Sequence, residues 1–157
     1  VHGVAFGAGF QLALGADMRY AAPDTRMSLM EVEWGLVPDM GGTVLMSALV
    51  GEDVARELTY SATVFSGTEA KDYGLVTRVM DDPLAAAMKK AQEIAGKSPS
   101  AVQHAKRLFN RRLAPFIESG LLAESLARDA LVVHPNQHEA AEARLAGRPP
   151  RFIDPTV

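Results

Sequence analysis

Gly7-Ala8-Gly9 stands between an apolar run and a helical stretch. Small residues at such a junction let backbone N–H groups at a helix start approach a ligand closely, with the positive end of the helix dipole behind them. The turn could hold an oxyanion, or it could be a tight turn where a side chain does not fit. Two phosphate-binding motifs fail on detail. The third glycine of G-x-G-x-x-G would fall on Leu12, and no Gly-Lys-Ser/Thr follows. Gln11, three residues past Ala8, shares its helix face. Glu31 lies in the apolar setting SLMEVEWG, where burial would raise its pKa and suit it to act as a general base near neutral pH; an edge-strand or turn residue is the plainer reading. Asp39, in GLVPDMGG, is either a second acid or a cap for the helix starting at Gly41.

The elements that must position these groups fall into two textures. Residues 1–80 alternate short strands with glycine turns and short helices. Val1–Ala5 reads as a buried strand and Gly7–Ala16 as a short helix, followed by strands at Met18–Ala22 and Arg26–Leu29 around the Pro23-Asp24 turn. Gly41–Leu49, Asp53–Ser61 and Thr68–Tyr73 are helical, the last closed by Gly74, and Leu75–Val79 returns to strand. From Pro83 the pattern is helical only. Leu84, Met88, Ala91 and Ala95 recur at helical spacing. Ser98-Pro99-Ser100 starts a second helix carrying Val102, Ala105 and Phe109; a third spans about Phe116 to Val132, and a fourth roughly Asn136–Leu145. A proline-rich tail, GRPPRFIDPTV, closes the chain. The organisation is thus an α/β part, 1–80, and a helical part with tail, 81–157.

The remaining features narrow the function. A chain of 157 residues with 48% hydrophobic and 22% charged residues is globular in composition. A net charge of −3 implies no broad nucleic-acid surface. Cysteine is absent, which excludes disulfides, thiolate metal sites and a Cys nucleophile, and fits a cytoplasmic protein. The longest apolar stretch, Val4–Ala16, is too short to span a membrane. The four histidines lack metal-ligand spacing, and no G-x-S-x-G elbow supports a hydrolase. Lys106, Arg107, Arg111 and Arg112 form a basic helix face, solvated or contacting an anion, and Asp17 with Arg19 reads as a local ion pair. The opening VHGVAFGAG reads as the middle of a strand and turn, so the expectation is the C-terminal part of a longer chain.

Residues 7–43, GAGFQLALGADMRYAAPDTRMSLMEVEWGLVPDMGGT, resemble the signature region of the enoyl-CoA hydratase/isomerase, or crotonase, superfamily. AREL at 55–58, SGTEAKDYGLVTRV at 66–79 and EAAEARLAGRPPRF at 139–152 extend the resemblance over nearly the whole chain. It implies an α/β fold of repeated ββα units, here partial, followed by helices that mediate trimerisation, giving a homotrimer or hexamer. It implies an acyl-CoA substrate in fatty acid metabolism and no cofactor beyond the coenzyme A of that substrate, with no metal, nucleic acid or membrane.

The resemblance also implies an enolate stabilised by two backbone N–H groups, one at Ala8 and one from an earlier segment that this sequence does not include. Gly7, Gly9 and Pro38 are carried over as substrate-contacting positions. Glu31 falls where hydratases have one of two catalytic glutamates and simple isomerases their single base. Gln11 falls where hydratases have the other glutamate and dienoyl-CoA isomerases an aspartate. Asp39 falls where dienoyl-CoA isomerases have another aspartate and hydratases usually glycine. Gln11 cannot move a proton, although its amide can orient a water or a substrate group. The pattern therefore favours double-bond isomerisation over hydration. A non-catalytic truncated subunit acting in assembly is the alternative.

Overall fold

The computed structural model describes residues 1–154; the end of the proline-rich tail, 155–157, lies outside the described residues. Strand β1 (Val4–Phe6) leads through Gly7 into helix α1 (Ala8–Leu14), followed by β2 (Tyr20–Ala21) and β3 (Arg26–Ser28). A single 3-10 turn at Glu31–Trp34 precedes helices α2 (Gly42–Ser47), α3 (Glu52–Ser61) and α4 (Gly67–Tyr73). Then come β4 (Arg78–Val79) and helices α5 (Pro83–Ala95), α6 (Pro99–Val132) and α7 (Pro135–Leu145).

The strands pair in parallel, β1 with β3 (Ala5 opposite Met27) and β2 with β4 (Tyr20 opposite Arg78). Parallel pairing requires a crossover, and α1 supplies it between β1 and β3. Its inner face buries Phe10 and Leu14 against Met27, Leu29, Met46, Leu58, Phe65 and Leu75. Phe10 meets Phe65 edge to face at 5.5 Å, a geometry the aromatic quadrupole favours. Phe65 in turn exchanges two backbone hydrogen bonds with Met27, each 2.9 Å.

Two expectations are corrected. The helices expected on either side of residue 115 are one helix, α6, of 34 residues and about 51 Å. Pro115 lies inside it. Proline removes one backbone hydrogen bond, but the stretch around it is exposed, so the freed carbonyl is open to solvent and the helix continues. Asp17 and Arg19 are not a local ion pair. Arg19 is buried, and its guanidinium donates to the carbonyls of Leu14 (3.2 Å), Ala16 (2.5 Å) and Leu75 (2.7 Å). A cation at the C-terminal end of α1 complements its dipole. Asp17 pairs instead with Lys106 of α6, at 2.5 Å.

Candidate active site

Three segments converge beside the start of α1. Gly7 adopts a positive φ of 51°, which turns the chain from β1 into the helix. A side chain is strained in that conformation, and here its Cβ would also lie 3.1 Å from Oε1 of Glu31. Ala8 and Gly9 are exposed at the first turn, and first-turn amides have no partner within their own helix. A Cβ on Gly9 would meet nothing within 4 Å.

Glu31 opens the 3-10 turn rather than lying on an edge strand. Helix α7 holds that turn in place. Gly35, at φ 67°, ends it and leaves no room for a side chain against Gln137. Gln137 donates to the Trp34 carbonyl at 3.2 Å, and Arg144 pairs with Glu33 while stacking over the Trp34 ring. Oε1 of Glu31 accepts from Nε2 of Gln11 at 2.6 Å. Oε2 is buried and has no partner among the described residues. Burial pushes the Glu31 carboxyl above its usual range; hydrogen bonds from its own backbone and from Gln11 pull it back, and the carboxylates of Asp39 and Glu124 push it up further.

Gln11 is itself fully buried, and its Oε1 accepts from the backbone N–H groups of Met40 (2.9 Å) and Gly42 (3.0 Å). A Cβ on Gly42 would sit 2.7 Å from that oxygen and 2.9 Å from the Pro38 ring. Pro38 is fully buried in this loop, so its visible contribution is packing. Asp39 does not cap α2: its carboxylate faces Arg128 of α6 at 3.4 Å. The cap comes from Glu124 of α6, a residue the sequence reading missed. Its two oxygens accept from Gly41 N (2.7 Å), Thr43 N (2.9 Å) and the Thr43 hydroxyl. The available signal was the spacing of Gly120, Glu124 and Arg128, which places all three on one face of the helix.

The site therefore brings Gly7, Gln11 and Glu31 into contact and ties Asp39 to α6. Among the described residues no group of three His, Asp or Glu side chains converges as a metal site needs. A cavity of about 460 Å³ lies elsewhere, between Tyr20 of β2 and Ala87, Ala91 and Ile94 of α5.

The sequence model of the enoyl-CoA hydratase/isomerase family matches residues 1–154. Peroxisomal Delta(3,5)-Delta(2,4)-dienoyl-CoA isomerase of Arabidopsis thaliana is 34% identical over 97% of this chain and 56% of its own length. Mitochondrial methylglutaconyl-CoA hydratase of Mus musculus is 32% identical over 97% of this chain and 50% of its own. The crystal structure of an enoyl-CoA hydratase/isomerase from Pseudoalteromonas atlantica superposes with a TM-score of 0.90 at 29% identity, covering 96% of this chain and 62% of that one. The chain belongs to the enoyl-CoA hydratase/isomerase family and has part of the crotonase fold. It spans about half the length of the curated relatives it matches.

Proposed function

We propose that this chain carries the acid/base part of an enzyme that shifts a double bond in an unsaturated acyl-CoA, with Glu31 as the base. One observation carries the reading: a carboxylate beside the Gly7 turn whose second oxygen, Oε2, is buried and has no partner among the described residues. Such an atom is costly unless something outside the chain meets it. In the proposed step a substrate C–H bond breaks and its proton passes to Oε2. The electron pair moves into conjugation with the thioester, whose oxygen gains the charge near the Ala8 amide. Return of that proton from Glu31 to another carbon restores the thioester and leaves the double bond displaced. Isomerisation is favoured over hydration because the Gln11 amide is engaged with Glu31 and two loop N–H groups, so it is not free to activate water.

The test is an assay of the intact reading frame against 2-enoyl-CoA and 3-enoyl-CoA substrates. Glu31→Gln is expected to lower turnover by roughly 10²–10⁴-fold while the fold stays intact; unchanged turnover on every acyl-CoA tried removes Glu31 from the mechanism. A second reading, an assembly subunit, is favoured by the apolar side chains α6 exposes, Phe109, Phe116, Leu122 and Leu126. Homotrimer or hexamer formation through this helix is proposed with either reading. Light scattering on Leu122→Asp checks it: loss of self-association is expected, and a wild type monomeric at micromolar concentration overturns it.

A further inference from the structure

We infer that Gln11 is a positioning residue for Glu31: its amide, locked by two loop N–H groups, holds Oε1 of the carboxylate and leaves Oε2 as the one atom on which the base carries a proton. The inference rests on the reading of Glu31 as the base. Chemistry fixes the amide's orientation. Met40 N and Gly42 N are donors only, so the Gln11 atom facing them at 2.9 and 3.0 Å is the oxygen. The NH₂ group must then face Glu31, where it stands 2.6 Å from Oε1. An NH₂ group donates and does not accept, so Oε1 must present a lone pair to it in both protonation states of Glu31. A hydroxyl oxygen is a poorer acceptor than a carbonyl oxygen, so the tether favours the form of the acid that carries its proton on Oε2.

Packing prevents the pair from turning. Gln11 is 1% exposed. Glycine at 42 leaves room for the amide oxygen, and glycine at 7 for Oε1 of the carboxylate; a Cβ at either place would crowd those atoms, at 2.7 and 3.1 Å. The two glycines and the amide thus hold the carboxylate with one oxygen tethered and the other free. A glutamate at position 11 would satisfy the same two loop N–H groups but would set a second carboxylate against the first. The amide keeps the site a one-base site.

The experiment follows protons at both side chains by NMR in the full chain. In the wild type, the side-chain NH₂ signals of Gln11 are expected to move with the titration of the Glu31 carboxyl carbon. In Gln11→Glu, Glu31 is expected to titrate in two coupled steps, the upper one at higher pH than in the wild type. The acidic limb of the turnover profile should move the same way. Gln11→Met, which removes donor and acceptor together, should also move the Glu31 midpoint upward, because a hydrogen bond to the charged form is lost. A purely structural Gln11 would change the unfolding midpoint without moving these titrations. Gln11 NH₂ signals that ignore the Glu31 titration, or the same Glu31 midpoint in wild type and Gln11→Glu, overturn the inference. The predicted titrations in a protein with no turnover on any acyl-CoA sustain the positioning role and overturn the proposed function instead.

Discussion

Two carboxylates, half-buried Glu31 and buried Glu124, lie close enough for the Glu124 charge to be felt at Glu31, yet their surroundings differ. Glu124 is 5% exposed, and both its oxygens accept hydrogen bonds, from Gly41, Thr43 and the Thr43 hydroxyl. Glu31 has one oxygen tethered by Gln11 and the other buried, with no partner among the described residues. A carboxylate whose lone pairs are all engaged has nothing left to offer a substrate; it fixes backbone. One left half-satisfied has capacity in reserve and a reason to bind a proton. The contrast separates a saturated carboxylate from one with an unengaged oxygen by their partners alone, although both are glutamates in apolar helical settings.

The largest effect is expected where the saturated carboxylate is removed. Glu124→Ala strands the Gly41 and Thr43 amides at the start of α2 and should cost about 3 kcal/mol in urea unfolding, the range for hydrogen bonds to a charged group plus a lost cap. A loss under roughly 0.5 kcal/mol would mean that water replaces the carboxylate. Gly120→Val tests the same docking by shape. A side chain there would strike Val44, and overpacking should cost about 2 kcal/mol. Glu31→Gln should act in the opposite direction at neutral pH. The folded carboxyl titrates above its unfolded value, so the native state binds more protons, and stability falls as pH rises through that window. Removing the charge removes the loss: thermal unfolding should show the variant stabilised at pH 7 relative to wild type, with the gap closing toward pH 4. Lys106→Ala is expected to be silent. Its pair with Asp17 is exposed on both sides, and such pairs contribute little.

Local patterns were readable and distant ones were not. The helix expected at Thr68–Tyr73 with Gly74 as its stop is found at Gly67–Tyr73, because Ser66 and Glu69 cap each other's backbone at its start and Gly74 takes the left-handed conformation at its end. The turn at Gly7 was legible for the same reason, since a glycine between strand and helix announces a special backbone. The contact between Gln11 and Glu31 was not, because it joins residues twenty apart through a 3-10 turn with no periodicity of its own. Asp39 had the correct type and spacing to cap α2, and a residue 81 positions beyond Thr43 does so instead. The join across Pro115 was missed because proline's local cost outweighs, in any short window, the cooperativity of the helix on either side.

The cap on α2 also sets an order of events. That helix is six residues long with a glycine at its N-cap, and a helix so short does not persist on its own in water. Its missing partner is synthesised 81 residues after Thr43. At roughly 5–20 residues added per second, the ribosome delivers Glu124 about 4–16 s later. Until then the loop that anchors Gln11 has no docked α2 to hold its amides in place. That corner of the molecule is therefore completed late, only after a distant helix has returned to it, and its docking should be a slow step in the biogenesis of the chain.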